Sequence, residues 1–191
     1  MTTASVDLST GQDVRGSLVE RYHKVGLYAF VFVVVAHWAE HITQAIQIWG
    51  LGWARPRAKG ALGLAFPWLV TSEWLHYGFA LVMLIGLIAL RPGFVGRAGT
   101  WWSVALWLQV WHHLEHLLLL IQAMTHHNLW GQKAPTSIIQ LLVPRVELHL
   151  FYNTLVTIPM VIAMVYHLRP SKAERELMKC TCARNDHELA G

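Results

Sequence analysis

Charge is scarce in this chain. Only 14% of its 191 residues are Asp, Glu, Lys or Arg, against 54% hydrophobic. That is too little charge for an ordinary soluble domain of this length. Cysteine is scarcer: Cys180 and Cys182 stand alone, both in a polar tail, which excludes a disulfide framework. No glycine-rich nucleotide or flavin fingerprint occurs, so electrons for any redox chemistry have to come from a partner. A net charge of +4 raises nucleic acid as a ligand. The basic residues, however, stand at the ends of apolar runs, where membrane topology accounts for them, and no nucleic-acid partner is expected. The first apolar run is too long and too far from Met1 to read as a cleavable signal peptide.

What is abundant is apolar sequence in long blocks. Four blocks, at about 24–48, 67–90, 100–124 and 141–168, are long enough to cross a hydrocarbon core of about 30 Å as helices. Residues 49–66 carry Gly50, Gly52, Pro56, Gly60 and Gly63, which is loop chemistry. Arg91-Pro92-Gly93 stops the second block, and Gly131 and Pro135 mark the connection before the fourth. Pro144 falls in the first turns of that fourth block and Pro159 at a kink inside it. The expected fold class is all-α: an integral membrane four-helix bundle, up-down, built of two similar helical hairpins with pseudo-two-fold symmetry. It occupies residues 20–169, between a polar N-terminal segment, 1–19, and a polar tail, 170–191.

Four spans bring both termini to one side. That side carries ten basic residues, Arg15, Arg21, Lys24, Arg91, Arg97 and those from Arg169 on, against five on the other, Arg55, Arg57, Lys59, Lys133 and Arg145. The excess predicts cytoplasmic termini in a multi-pass cell-membrane protein. Trp49, Trp53, Trp68 and Trp130 mark the outer interface and Trp101 and Trp102 the inner one. Trp38, Trp74, Trp107 and Trp111 lie deeper and are expected to pack round a polar centre.

The polar centre is the anomaly. There are twelve histidines, and most lie inside the apolar blocks. His37-Trp38-Ala39-Glu40-His41 in the first block returns 75 positions later as His112-His113-Leu114-Glu115-His116 in the third. Both read H-x-x-E-H, and both are followed by a glutamine six residues on, Gln47 and Gln122. Offsets of three and four share one helix face, so each block presents two imidazoles and a carboxylate together. The second block adds Glu73 and His76, and the fourth adds Glu147 and His149. Counting from the outer ends at helical rise, His37 to His41 lie about 10–17 Å deep. The other three clusters fall near the same level.

Ionisable groups at membrane depth are expensive, and they persist when paired, ligated or turned to a polar interior. His37, Glu40, His41, Glu73, His76, His112, Glu115, His116, Glu147 and His149 are too many donors for one four-coordinate ion. They suit two metal ions, iron first, with copper, zinc and manganese as alternatives. Some carboxylates then bridge or hold imidazole N–H groups. Glu147 and His149 are about 200° apart on a regular helix, so His149 is favoured as the ligand, with Asn153 on its face and Glu147 free to pair with Arg145. Gln44, Gln47, Gln109 and Gln122 read as hydrogen-bonding neighbours. His113 points about 100° from His112 and falls outside the ligand set. His126 and His127 read as loop residues, His23 and His167 as interfacial, and Cys180-Thr181-Cys182 with His187 as a solvated tail, with capture of a soft metal as the alternative. Tyr77 and Tyr152 lie close to the layer and read as packing aromatics.

In architecture the pattern resembles four-helix bundles with dinuclear carboxylate centres, which use Glu and Glu-x-x-His on facing helices. It is also similar to the H-x-x-x-H and H-x-x-H-H boxes of membrane di-iron hydroxylases and desaturases, with glutamate where those boxes carry histidine. The expected function is oxygen-dependent oxidation of a lipophilic substrate or quinol at a dinuclear, di-iron centre in the outer half of the bilayer. Glu40 and Glu115 are the expected catalytic proton acceptors. Expected partners are the lipid bilayer, an electron-donor protein or quinol, and further copies or a larger membrane complex. Two other classes fit the same histidines: a metal-binding, transport or sensor protein, and a haem b electron-transfer subunit.

Overall fold

The computed structural model describes the backbone of residues 9–180 and 182, with side chains from Arg21 onward. All regular structure among the described residues is helical. Helix α1 spans Ser9–Ala45 and continues through a wider π turn, Ile46–Gly50. The short helices α2, Gly60–Ala65, and α3, Pro67–Val70, follow. Then come α4, Glu73–Leu90; α5, Gly96–Thr125; α6, Arg145–Leu168; and α7, Lys172–Leu177. Four stretches, Arg21–Gly50, Glu73–Gly93, Gly96–Thr125 and Arg145–Leu168, are long and apolar enough to cross a membrane, the pattern of a membrane protein.

Several local choices follow from backbone chemistry. Between Lys24 and Glu40 no residue is charged, and Val31, Val33, Val34 and Val35 are β-branched. They are helical all the same, because in lipid a single segment satisfies its own N–H and C=O groups only as a helix. Glu73 and Glu147 sit in the first turns of α4 and α6, where a carboxylate meets the positive end of the helix dipole. His126 ends α5 in the left-handed region, at φ 56°.

Adjacent ends meet in alternate order. At one end His23 of α1 donates to the Leu90 carbonyl at the end of α4 (3.1 Å). There too Arg97, at the start of α5, binds Glu174 of α7 through Nε and Nη2 of its guanidinium (3.0 and 2.9 Å). Ser171 and Glu174 form a capping box on α7. The Arg97 guanidinium, then the Ser171 amide and hydroxyl, hold the Glu174 carboxyl well below the usual carboxylate range. At the opposite end Arg145 grips Glu73 and Arg55 grips Glu147.

The hydrophobic core lies nearer the first of these ends. Leu27, Phe30, Val34, Met83, Leu87, Phe94, Trp102, Val156 and Met160 belong to it. Trp102 is its anchor, with no exposed surface. The Arg91 N–H turns back to Ile88 rather than Leu87, and the Trp102 indole N–H donates to the freed Leu87 carbonyl at 2.8 Å. Phe94 stacks on Trp102 with ring centres 3.9 Å apart. The outward faces are apolar: Tyr28, Phe32, Trp68, Trp107 and Leu142 are among the most exposed residues. Helix α5 packs closely against both α4 and α6, whereas α1 touches α4 and α6 more sparsely and leaves a cleft beside them.

The structure shifts some boundaries read from the sequence. The polar segment 1–19 is helical from Ser9 on, so the first long helix begins before the apolar block; residues 1–8 lie outside the described set. The second long helix starts at Glu73, not Pro67, since Ser72 is extended at ψ 127° and Pro67–Val70 forms a separate turn. The fourth starts at Arg145, because Pro144 is extended at ψ 151° and stands before the helix. Trp74, Trp107 and Trp111 do not pack round the polar centre as expected; they are more than half exposed on the outer faces.

Candidate metal centre

Six imidazoles from the four long helices gather in one cluster. His112 and His116 lie one turn apart on α5, with ring centres 4.6 Å from each other. His149 of α6 approaches both, at 5.8 Å from His112 and 5.0 Å from His116. His76 of α4 stacks over His116 at 6.1 Å and lies 5.8 Å from His149. From α1, His41 lies 5.6 Å from His149, and its Nε2 is 3.1 Å from Nε2 of His37. The sequence layer is thus a real spatial cluster for its histidines.

Ring orientation is set by the helices themselves. Nδ1–H of His149 donates to the carbonyl of Arg145 one turn back, at 3.0 Å. Nδ1–H of His76 does the same with Ser72, at 2.9 Å. A histidine whose Nδ1 is held by a carbonyl presents the Nε2 lone pair, as metal-binding histidines do. Nε2 of His149 is buried and has no hydrogen-bond partner; Nδ1 of His112, His116 and His41 share that condition. Orphaned nitrogens in one buried place are costly unless a ligand satisfies them. His112, His116 and His149 each offer a ring nitrogen within 4.8 Å of the others, and this group could hold a metal ion. A void of about 30 Å³ lies among His37, His76, His112, His116, His149 and Asn153, room for an ion or a water.

The carboxylates behave differently from the sequence expectation. Glu40 is not turned to the histidines: it accepts from the backbone N–H groups of Ala61 and Leu62 (2.9–3.1 Å) and so caps α2. Gly60, at φ +73°, lies against that carboxylate, where a Cβ would collide with it. Glu73 is taken by Arg145 in a two-pronged pair of 2.5 and 2.6 Å. Glu147 is taken by Arg55 at 2.5 and 3.0 Å, not by Arg145 as expected. Only Glu115 remains near the cluster, beside the hydroxyl of Tyr152. That hydroxyl accepts from the Trp111 indole at 2.9 Å, and its ring lies 4.8 Å from His112. The physical reason is one of supply. Glu40, Glu73 and Glu147 each meet a guanidinium or a row of free N–H groups, and these are stronger partners than a neutral ring.

The glutamines have two separate jobs. Gln109 donates to the Ala80 carbonyl at 3.1 Å and lines the void. Gln47 and Gln122 work as loop staples, one on Gly60 and the other on Leu129 and Thr136; Gln44 holds the Ala58 carbonyl. His113 stands off the cluster beside Tyr77, at 5.1 Å, and His126 and His127 are exposed.

A cavity of about 710 Å³ runs along the cleft between α1 and the α4–α6 side. Its walls include Phe32, Val33, Leu75 and Phe79, and His37, His41, His76 and His149 face it. Arg55, Lys59 and Arg145 stand at its polar end.

Sequence reading missed a second group. His23 and His167 were expected at an interface and the tail cysteines in solvent. All but Cys182 of these are buried, and with Cys182 they form another set that could hold a metal ion. His187, which the sequence reading joined to the cysteines, lies outside the described residues. The missed signal was positional, since His23, His167 and the Cys-x-Cys pair all fall at the same end of an alternating chain. No family model, curated protein or solved structure matches this chain, so the chemistry of these groups carries the functional reading.

Proposed function

We propose that the chain is a four-helix membrane bundle of two similar hairpins, α1 with α4 and α5 with α6, that oxidises a lipophilic substrate with dioxygen at a histidine-held metal centre. The observation that carries this reading is the convergence of His112, His116 and His149 with the unpartnered His149 Nε2 among them. His37, His41 and His76 line the cleft beside this trio, and a second ion held among them would account for all six rings. Iron was the sequence expectation because four carboxylates accompanied the histidines. With Glu40, Glu73 and Glu147 engaged elsewhere, the remaining donors are imidazoles, which suit copper as well as iron.

A metal pair of this kind would supply the binding and reduction of dioxygen. The chain's own residues would do the rest. His76 and His149 hold fixed ring orientations through Ser72 and Arg145. The apolar walls of the cleft receive the substrate, and a cavity of about 710 Å³ is in the range of small-molecule sites. Arg55, Lys59 and Arg145 meet its polar head. Glu115, beside Tyr152, accepts protons.

A quinol is the simplest substrate, because it brings its own electrons to a chain without a nucleotide or flavin motif. Two quinols give four electrons and four protons to one dioxygen, yielding two quinones and two waters. Cytoplasmic termini, the cell membrane, an electron-donor protein in place of the quinol, and a larger complex belong to the same reading. A haem subunit is less well supported, since several histidines would be left without a role.

The test is elemental analysis of the detergent-purified chain with its visible spectrum, followed by oxygen uptake with a soluble quinol. Iron or copper near two ions per chain, no Soret band and quinol-dependent uptake support the proposal. A Soret band, or metal-free protein that takes up no iron or copper, overturns it.

A further inference from the structure

At the end of the molecule away from the histidine cluster, the chain brings together two imidazoles and two thiols. His23 comes from α1, His167 from the last turn of α6, and Cys180 and Cys182 from the tail beyond α7. Each offers one ligand atom within 4.8 Å of the other three. His167 is 1% exposed, Cys180 3% and His23 4%. Both cysteines are free thiols.

The contacts resemble the edges of a coordination tetrahedron. Nδ1 of His23 lies 3.4 Å from Sγ of Cys182, and Nε2 of His167 lies 3.5 Å from Sγ of Cys180. Zinc bonds of about 2.3 Å to sulfur and about 2.0–2.1 Å to nitrogen, at tetrahedral angles, give sulfur–nitrogen edges of about 3.5 Å. The tautomer of His23 is settled by its other nitrogen, since Nε2–H donates to the Leu90 carbonyl at 3.1 Å. Nδ1 is left as a lone pair facing the thiol, with the kind of backbone support that metal-bound histidines have. His167 turns Nε2 to the Cys180 thiol, and its buried Nδ1 has no hydrogen-bond partner.

The surroundings are closed and apolar. The Phe94 ring covers both imidazoles, with centres 4.4 Å from His167 and 5.4 Å from His23. Gly93 lets the His23 ring lie against the backbone, where any Cβ would strike it. Two thiolates and a divalent cation sum to zero charge, which suits a buried place. Four protein ligands leave no open position, the arrangement of a structural site rather than a catalytic one.

We propose that His23, His167, Cys180 and Cys182 form a closed tetrahedral site for one zinc ion, which fastens the tail to α1 and α6. The site shares no residue with the histidine cluster and goes beyond the oxidase reading. The ion joins the first and last spans at one end, and cysteines in a polar tail acquire a buried role.

The test uses the full chain in detergent, loaded with zinc or cobalt and freed of excess metal. Cobalt should give a sulfur-to-metal charge-transfer band in the near ultraviolet. That band should be absent from Cys180→Ser with Cys182→Ser and retained in His112→Ala with His116→Ala, which lacks only the central ligands. Zinc content should fall by one ion per chain in the cysteine variant. Should that variant fail to fold, alkylation of the wild-type thiols decides, since zinc should slow it by at least about tenfold and a chelator should restore it. A cobalt-loaded wild type without the sulfur band, or thiols that react equally with and without zinc, overturns the proposal. Loss of metal in the central variant alone speaks to the oxidase reading and leaves this one standing.

Discussion

The Arg145 guanidinium clasps the Glu73 carboxylate with both terminal nitrogens, at 2.5 and 2.6 Å, while the Arg145 carbonyl holds His149. One residue thus ties α4 to α6 and aims a candidate ligand. Glu73 is largely buried and Arg145 about one-third exposed. Removing either charge leaves the other in a poorly solvated place. Glu73→Gln should cost about 1.5–3 kcal/mol, the range for hydrogen bonds to charged groups, and should lower metal occupancy by loosening His149. Denaturant unfolding in detergent beside metal analysis reads both. An unchanged midpoint would show that the pair contributes nothing.

The histidine cluster itself makes a sharper prediction. His149→Ala removes a ring whose Nε2 is buried without a partner, and metal affinity should drop by more than the roughly 10–100-fold typical of losing a supporting residue. His126→Ala with His127→Ala, on the exposed turn, should leave affinity unchanged. If the two variants lose metal equally, the cluster is not the binding site.

Gln47 and Gln122 should be matched in their effects. Gln47 is 3% exposed; its amide donates to the Gly60 carbonyl and accepts from the Gly60 N–H. Gln122 holds the loop after α5 by the same two-way chemistry. Alanine at either position strands buried backbone groups, at about 1–3 kcal/mol. Faster hydrogen exchange should follow, confined to residues 51–62 for Gln47→Ala and to residues 126–137 for Gln122→Ala. Uniform acceleration along the chain would contradict the staple role.

Trp102 offers a graded test of the core. Trp102→Phe keeps the stack with Phe94 but loses the bond to the Leu87 carbonyl, at about 0.5–1.5 kcal/mol. Trp102→Ala also empties the space of the ring, at about 3–5 kcal/mol. Thermal or denaturant unfolding should therefore rank wild type, Phe, Ala; near-equal values for Phe and Ala would show the cavity to be filled by rearrangement.

The Glu174 pair gives a pH dependence whose sign is fixed. Its carboxyl is held below the usual range, first by Arg97 and then by Ser171. A depressed carboxylate contributes stability above its unfolded value, about 4.3, and loses it as pH falls through the folded value. The tail should stay docked on Arg97 at mildly acidic pH and release only in stronger acid. Glu174→Gln should weaken docking at neutral and mildly acidic pH, where the wild-type carboxyl is charged, and not in stronger acid. Proteolysis of the tail followed against pH checks this, and release of wild type already at about pH 6, well above the usual carboxylate range, would refute it.

The spans and the histidine layer were legible because both rest on periodicity and length, which a sequence carries directly. His149 faces the other histidines while Glu147 turns to Arg55, the divergence that their angular separation on a helix predicts. The acids were not legible. Glu40, Glu73 and Glu147 share a helix with histidines, but their partners, Leu62, Arg145 and Arg55, lie 22, 72 and 92 positions away. Nothing local reveals that competition. Tail cysteines beside His167 were hidden for the same reason, since burial there depends on how a loose-looking segment returns to α1.

The diversion of three carboxylates also bears on redox potential. Neutral imidazoles leave the charge of a bound ion uncompensated, and a low-dielectric surround penalises each added positive charge. The lower oxidation state is favoured, so a redox metal held by these six histidines would sit at a high potential. Such a centre takes electrons readily from a mild donor and yields them only to a strong oxidant.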